Sequence, residues 1–301
     1  DQGQSEDEAA TSPARNGEAC QATIHLLPGA AAYVGADITA GVLASGMAYR
    51  DDTCLLVDLG TNGEIVLRHQ DVLIGCATAA GPAFEGAGLT CGVRAGKGAI
   101  GHIWLEEESF RVTTEVIQGG VPIGLCGTAY VDFVARAHGV GLISSTGRFT
   151  PTAHDGHLQE QGLYGWGLTI DQNRAGEPIY ISEADIASLL QAKAAIAAGI
   201  ACLLRRVDLR PEQVAKVYVA GGFGFHMHVE CLLGCGLLPG FSESQIELIG
   251  NTSLAGAYLT LMDSGAMDEI QRLSKRIEIV ELNLDPEFEM TYVDHLSLPP
   301  R

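Results

Sequence analysis

The residues that decide the fold read Cys54-Leu55-Leu56-Val57-Asp58-Leu59-Gly60-Thr61-Asn62-Gly63-Glu64-Ile65-Val66-Leu67. Two apolar runs, 54–57 and 65–67, flank a short segment that contains the dipeptide Asn62-Gly63, and this pattern is typical of a β-hairpin. A continuous apolar run predicts a strand that is buried on both faces. We therefore expect the hairpin to lie in the interior of a sheet.

The turn of this hairpin carries residues that are suited to binding a phosphate. We expect Gly60 and Gly63 to adopt positive φ and to let backbone N–H groups approach an anion. Thr61 and Asn62 add short side-chain donors, and Asp58 is a candidate ligand for Mg²⁺, held through water. A plain hairpin turn is the alternative. The carboxylate at the end of a buried strand favours the phosphate site.

The rest of the chain predicts a mixed α/β sheet that is covered by helices. Hydrophobic periodicity indicates a helix over 33–47 and a longest helix from Ser182, its N-cap, to about 206. The turn at 81–86 opens a short helix. Further helices are predicted near 128–137, 229–233 and 253–262, and strands at 72–74, within 98–117, and at 217–220, 246–249 and 277–282. Polar, glycine-rich residues 144–178 are expected to form a surface excursion.

A second glycine-rich turn, Gly221-Gly222-Phe223-Gly224, follows the apolar run 217–220. A strand, a glycine turn and a helix can form a notch for a nucleotide, but a turn that only packs a helix fits the pattern equally well. The chain contains neither G-x-G-x-x-G nor G-x-x-x-x-G-K-[ST], so the Rossmann and P-loop classes are excluded.

Two charged residues on predicted helices have two interpretations each. Lys193 falls on the apolar stripe of the longest helix, so its ammonium group must either reach solvent or meet an anion such as a nucleotide. Asp37 lies in the first turn of the 33–47 helix, where the helix dipole favours a carboxylate. It could also orient water or Mg²⁺ across a cleft.

Composition excludes several classes of function. The 301 residues carry a net charge of −19 and are 47% hydrophobic, which argues against nucleic-acid binding and against disorder. No uninterrupted apolar run reaches the roughly 18 residues of a membrane span, so we expect no membrane partner. Cys231 and Cys235 lie near His226 and His228 and raise zinc as an alternative, but their spacing fits no standard finger. Reduced thiols of a cytoplasmic protein are the expected interpretation.

The order of these motifs resembles the actin-like ATPases, in which two ribonuclease-H-like lobes clamp ATP. It is more similar still to the C-terminal part of the reductive activators of corrinoid proteins (the RACo and RamA type). The resemblance covers about 25–295 and rests on a set of matching stretches in the same order, which are 27–28, 33–41, 55–67, 80–86, 122–127, 192–196, 220–224 and 250–257.

The resemblance implies ATP and Mg²⁺ as cofactors and a role for each motif. Asp37 and Asp58 would serve the metal or water, with Asp58 as metal ligand. The phosphates would be held by the hairpin and flanked by the 81–86 turn, and the adenosine would lie at the second glycine turn with Lys193 nearby. The expected cofactor-binding residues are Gly60, Thr61, Asn62, Gly63, Gly81, Pro82, Glu85, Gly86, Lys193, Gly221 and Gly222.

The resemblance also implies a partner and a division of the polypeptide. Activators of this kind use ATP to reduce a Co(II) corrinoid to Co(I) on a partner methyl-transfer protein, with electrons from a [2Fe-2S] domain that we expect elsewhere in a longer polypeptide. This part alone is then expected to be inactive, and a homodimer is left open. We expect four segments, namely an acidic tail or linker (1–22), a connecting strand and helix (23–50), a ribonuclease-H-like lobe (51–295) and a C-terminal tail (296–301).

Two rival functions remain from the sequence. A small-molecule kinase of the same superfamily would need a carboxylate facing a substrate pocket, and its phosphate release would depend on that substrate. A non-catalytic module that docks a corrinoid protein would bind its partner equally well with or without Mg-ATP.

Overall fold

The computed structural model describes residues 12–13, 19–20, 23–107, 109–150, 158–222 and 226–301. Most of the predicted tail and the residues Phe223 and Gly224 lie outside this part of the chain. The strands are β1 (Ser12–Pro13), β2 (Ala19–Cys20), β3 (Cys54–Leu59), β4 (Gly63–His69), β5 (Val72–Thr78), β6 (Ala99–Leu105), β7 (Val112–Val116), β8 (Gly124–Leu125), β9 (Leu158–Glu160), β10 (Trp166–Gln172), β11 (Pro178–Ser182), β12 (Lys216–Ala220), β13 (Ile246–Gly250) and β14 (Ile277–Ile279).

The helices begin and end close to the positions that the periodicity predicts. They are α1 (Ala36–Ser45), α2 (Gly127–Gly139), α3 (Glu183–Arg206), α4 (Val229–Gly234), α5 (Thr252–Met262), α6 (Ser264–Arg276) and α7 (Phe288–Asp294). Ser182 caps α3 as predicted, because its hydroxyl accepts from the Asp185 amide while the Asp185 carboxylate accepts from the Ser182 amide. Asn251 caps α5 in the same way through the amide of Leu254.

A six-stranded sheet with the order β13-β12-β3-β4-β5-β14 forms the centre of the fold. The strands β3, β4 and β5 form an antiparallel meander, and β12 runs parallel to β3 on its other side. β13 extends the sheet in parallel beyond β12, and β14 pairs in parallel with β5 at the opposite edge. This arrangement confirms the predicted ribonuclease-H-like mixed sheet.

The sheet is covered on both faces, as the continuous apolar strands require. One face of β3, with Leu55, Val57 and Leu59, belongs to the same buried cluster as Ile196 and Ile200 of α3. The other face, with Cys54 and Leu56, belongs to a second cluster with Ile38 and Val42 of α1. Because side chains alternate along a strand, Asp58 lies on the α1 face.

Helix α3 is long and apolar enough to cross a membrane, with a mean hydropathy of 1.7 over its best window. In this protein 78% of that window is buried inside the fold. Charged residues lie at its ends, where Glu183 and Asp185 face the start and Arg205 and Arg206 the finish, which matches the helix dipole. Its apolar character is that of a core helix.

Three expectations about the flanking segments are wrong. Residues 23–29 form no strand, because they lie before α1 with Ile24 and Leu26 exposed and no neighbouring strand to pair with. The described part of 144–178 is more than a surface excursion, since β10 pairs with β9 and β11 and buries Leu168. The last predicted strand ends at Ile279, and a 3₁₀ turn over Leu282–Leu284 replaces the rest.

Helices α6 and α7 and the contacts of the C-terminal residues were not predicted. Helix α6 packs against the sheet through Ile270 and Leu273, both buried. The predicted C-terminal tail is held to the protein by Leu298, which is buried and whose amide donates to the carbonyl of Ser145.

Candidate functional site

The central feature of the site is the end of the β3–β4 hairpin, where two carboxylates oppose each other. The register pairs Asp58 directly with Glu64 and Leu59 with Gly63. Side chains of directly opposed residues project from the same face of a sheet, about 5 Å apart at their Cβ atoms. Glu64 is buried, with 9% of its surface exposed, and Asp58 is partly buried.

A third carboxylate, Asp37 at the start of α1, adds its charge to this pair. Burial raises the pKa of Asp58 to about 6, and repulsion from Asp37 adds to the shift. Burial also raises the pKa of Glu64 to about 7, with further contributions from Asp37 and then Asp58. Among the described residues, the ion pairs include none with these three carboxylates.

The turn itself differs from the predicted geometry. Neither Gly60 nor Gly63 has positive φ. Gly63 is required for a different reason, since a Cβ there would lie 2.5 Å from Cγ1 of Ile196 on α3. The Gly60 amide donates to the carbonyl of Asn62 at 3.0 Å, so it is used within the turn. Its glycines therefore serve close packing and a tight turn.

The second predicted segment, 81–86, is brought to the tip of the hairpin. The Thr61 hydroxyl donates to Oε1 of Glu85 at 2.9 Å. Pro82 begins a 3₁₀ turn over Pro82–Glu85, and the glycines on either side, Gly81 and Gly86, both have positive φ. A Cβ on Gly86 would lie 2.8 Å from the carbonyl oxygen of Val93, so two independent constraints favour glycine there.

The second glycine turn lies beside the hairpin because β12 pairs with β3. Ala220 is the register partner of Asp58, so the chain leaves both strands at the same edge of the sheet. Gly221 has φ +121°, and a Cβ on it would lie 2.3 Å from the carbonyl oxygen of Leu59. Gly222 is exposed, and no atom lies within 4 Å of the position its Cβ would take.

A cavity of about 160 Å³ joins the 81–86 turn to the second glycine turn. Its lining residues are Phe84, Glu85, Arg94, Ala95, Cys126, Gly127 and Gly222. Helix α2 begins at Gly127, and the N-cap residue Cys126 makes no side-chain capping bond. The first backbone N–H groups of a helix carry partial positive charge, so this wall of the cavity favours an anion.

Lys193 is not part of this cavity. Its ammonium group is buried and donates to the carbonyl of Ser297 at 2.6 Å, and it lines a separate cavity with Gly236 and His295. Burial lowers the pKa of Lys193 to about 8. The expectation that Lys193 reaches solvent or lies near the adenosine turn is therefore not supported, because the C-terminal residues cover its end of α3.

The sequence did not single out Glu64, Arg94 or the start of α2. Glu64 could have been found from the hairpin itself, since a three-residue turn at 60–62 places it opposite Asp58. Arg94 and Gly127 carry no comparable local signal. They reach the cavity only because β6, β8 and α2 pack beside the central sheet.

The comparisons with known proteins agree with this geometry. A family model described as the C-terminal domain of RACo, the ASKHA domain, matches residues 52–301. The chain is 34% identical over 283 residues to the corrinoid activation enzyme RamQ of Eubacterium limosum, covering 90% of this chain and 46% of that protein. It is 26% identical over 264 residues to the [Co(II) methylated amine-specific corrinoid protein] reductase of Methanosarcina barkeri, covering 81% and 45%.

A solved structure gives the same result. The reductive activator for corrinoid,iron-sulfur protein superimposes with a TM-score of 0.87 at 36% sequence identity, over 91% of this chain and 44% of that one. The chain thus spans about half the length of the relatives it matches. The resemblance drawn from the motifs is confirmed, and the chain belongs to the family of RACo C-terminal ASKHA domains.

Proposed function

We propose that this chain is the ATP-binding part of a reductive activator that drives the reduction of a Co(II) corrinoid to Co(I) on a partner protein. The observation that carries the proposal is 34% identity over 90% of the chain to a corrinoid activation enzyme. Membership of the ASKHA family implies that the domain binds a nucleotide. ATP itself, the magnesium ion and the corrinoid partner belong to the proposal.

The carboxylates at the hairpin end fit a divalent cation. Asp37, Asp58 and Glu64 place three negative charges close enough to raise one another's pKa, and they lack ion-pair partners among the described residues. Mg²⁺ prefers carboxylate oxygens and water as ligands. A bound cation would offset this repulsion, so we assign the metal to Asp58 and Glu64, with Asp37 completing the negative surface.

The cavity beside the hairpin fits phosphate groups. Arg94 supplies a guanidinium group, and the start of α2 supplies unpaired backbone donors. Gly222 leaves its side of the cavity open, so a ligand can approach the backbone there. In this proposal Thr61 and Glu85 fix the hairpin tip against the 81–86 turn through their hydrogen bond.

ATP, when bound, would supply the free energy for an electron transfer that is otherwise unfavourable. The residues of this chain would hold the phosphates, position the metal and move a proton. Glu64, with a pKa of about 7, can take up or release a proton near neutral pH, which suits a residue that orients or activates water. Asp58, closer to the sheet edge, remains ionised and holds the cation.

The remaining parts of the proposal concern the longer protein. A corrinoid-carrying methyl-transfer protein is the proposed partner, and a [2Fe-2S] domain is the proposed electron donor. We also propose a cytoplasmic location, since seven cysteines in the described part of the chain are free thiols. A homodimer is a further proposal that measurement of the molecular mass in solution would test.

The experiment uses the parent polypeptide with a candidate corrinoid protein, a low-potential reductant and Mg-ATP. Cobalt absorption bands should show Co(II) converting to Co(I) only when ATP is present, and Asp58→Asn should abolish the conversion. ATP binding without any ATP-dependent Co(I) would overturn the activator assignment and leave the nucleotide site intact. Phosphate release that required an added small molecule would favour a kinase.

A further inference from the structure

A second cluster of ionisable side chains lies on the other side of α2 from the sheet hairpin. It consists of His102 on β6, Asp132 in the middle of α2, and His228, the residue that caps α4. Each residue offers a ligand atom, and these atoms all lie within 4.8 Å of one another. The proposed nucleotide chemistry uses none of them.

The carboxylate of Asp132 is the centre of this cluster. It is almost completely buried, with 1% of its side chain exposed. Nδ1 of His102 lies 2.8 Å from Oδ2, and Nδ1 of His228 lies 3.0 Å from Oδ1. The two imidazole rings are 4.2 Å apart between centroids, so both histidines converge on one buried carboxylate.

Helix α4 brings a fourth candidate ligand. The thiol of Cys231 forms a hydrogen bond with Asp132, and Cys231 also belongs to a second potential group of metal ligands that shares His228. Glu230, the third member of that group, is already engaged by Arg136 at 3.2 Å. This pairing leaves two histidines, one carboxylate and one thiol around the same point.

The donor set and its spacing suit a zinc-type ion. Zn²⁺ takes nitrogen, sulfur and carboxylate ligands at about 2.0–2.3 Å in tetrahedral sites, which places neighbouring ligand atoms roughly 3.3 Å apart. The nitrogen–oxygen distances of 2.8 and 3.0 Å are a few tenths of an ångström shorter. A small outward movement of the two rings would therefore accommodate the ion.

The surroundings favour a site that is closed to solvent. The indole ring of Trp104 lies 5.9 Å from each imidazole, between ring centroids. The guanidinium of Arg136 covers the far side of that ring at 5.9 Å, and its charge is balanced by Glu230. Structural zinc sites are usually enclosed in this way, whereas catalytic sites keep an open position.

We propose that His102, Asp132 and His228, with Cys231 as fourth ligand, bind one zinc-type divalent ion that holds this region together. Each imidazole would coordinate through Nδ1 with its proton on Nε2, and the Cys231 thiol would release its proton to solvent. The ion would connect β6 and α2 to the segment that follows the second glycine turn. Since Gly222 and Gly127 line one cavity, it would fix the two walls of that cavity relative to each other.

The plain alternative is that Asp132 is satisfied by hydrogen bonds alone. Its oxygens accept from both imidazoles and from the amide of Ile103 at 3.3 Å, which is sufficient for a buried carboxylate. The two interpretations differ in stoichiometric metal binding, so they can be separated without any measurement of activity.

The test begins with the whole chain, stripped of metal by a chelator and then titrated with Zn²⁺ or Co²⁺. We expect one equivalent of Zn²⁺ to remain after desalting and to raise the melting temperature. Co²⁺ should give the intense visible bands of a tetrahedral site, with a thiolate charge-transfer band in the near ultraviolet that Cys231→Ser removes. Binding well below one equivalent, or only the weak spectrum of octahedral Co²⁺, would overturn the proposal.

Variants assign the ligands. His102→Gln and His228→Gln should each weaken Zn²⁺ binding by at least 10-fold, whereas His25→Gln, at an exposed histidine far from the cluster in sequence, should bind like the wild type. Unchanged binding in both cluster variants would place the ion elsewhere and overturn the site. If a variant fails to fold, shown by circular dichroism, the wild-type stoichiometry and Co²⁺ spectrum still decide.

Discussion

Glu64 lies directly opposite Asp58 across the β3–β4 hairpin, with both side chains on the face that α1 covers. Two carboxylates held side by side, with a third on the helix above, resist simultaneous ionisation. The pKa of Glu64 is accordingly about 7 and that of Asp58 about 6. Several measurable properties depend on this relationship.

The first prediction concerns stability as a function of pH. Glu64 binds its proton more tightly in the folded state than in the unfolded chain, whose glutamate pKa is about 4.3. The free energy of unfolding therefore falls as pH rises from about 4 to about 7, and the penalty is complete above pH 7. Glu64→Gln should be more stable than the wild type at pH 8, by on the order of 2 kcal/mol, and about equal at pH 4.

Urea unfolding at the two pH values, in the absence of divalent ions, measures this difference. Glu281→Gln, at an exposed glutamate, is the control and should change stability equally little at both. Equal stability of the wild type and Glu64→Gln at pH 8 would contradict the proposed repulsion. Mg²⁺ should reduce the difference between them by stabilising the wild type.

The second prediction concerns the metal. Asp58→Asn removes the carboxylate that is the register partner of Ala220 at the sheet edge. We expect Mg²⁺-dependent binding of ATP to weaken at least 10-fold, since each lost carboxylate ligand removes much of the attraction for the ion. Titration with a fluorescent ATP analogue, with and without Mg²⁺, measures this change. Asp71→Asn, in the exposed β4–β5 turn, should have no effect.

The third prediction tests the wall of the cavity. Arg94→Ala should weaken ATP binding by about 10-fold and AMP binding much less, because a guanidinium contributes through the terminal phosphates. The same nucleotide titration separates the two ligands. Arg174→Ala, at an exposed arginine in the β10–β11 turn, provides the charge-matched control. Equal losses for ATP and AMP would argue against a phosphate contact.

The fourth prediction compares the two ends of α2. A Cβ on Gly127 would lie 1.7 Å from the carbonyl oxygen of Phe84, whereas no atom lies within 4 Å of the Cβ position at Gly139. Gly127→Ala should lower the free energy of unfolding by about 3 kcal/mol, and Gly139→Ala should change it by less than about 1 kcal/mol. Denaturant titration of both variants checks this. Similar stabilities would show that the start of α2 can move away from the 81–86 turn.

The fifth prediction concerns Lys193. Its ammonium group donates to the Ser297 carbonyl and lines a different cavity from that of Gly222. Lys193→Met should therefore leave the affinity for ATP within about two-fold of the wild type, although the contact with the C-terminal residues is lost. A 10-fold loss of affinity with an unchanged melting temperature would restore the sequence-based assignment of Lys193 to the nucleotide.

Local patterns predicted the elements well where one interaction range sufficed. The hairpin, the Ser182 cap and the full length of α3 follow from residue spacing, because apolar alternation and capping act within a few positions. The same patterns failed for 23–29, since an apolar run becomes a strand only beside another strand. Residues 144–178 were misjudged because glycine and threonine content does not reveal that Leu168 is buried.

Site residues were predictable to the extent that they share a turn or a strand end. Asp58, Glu85 and Gly222 do come together, since the sheet order places their segments at one edge. Lys193 was misplaced because helical periodicity identifies the buried face of α3 but not which segment covers it. His102, Asp132 and His228 are far apart in sequence, and only the packing of β6, α2 and α4 makes them neighbours.

The pairing of β3 with β12 also determines when the site can form during folding. Ala220 follows Asp58 by 162 residues, and they become neighbours only when that parallel pairing closes. Contacts of such long sequence separation form late and slow the folding of a chain. A nucleotide should then leave the refolding rate almost unchanged and slow unfolding instead, so that bound ligand lengthens the lifetime of the native protein.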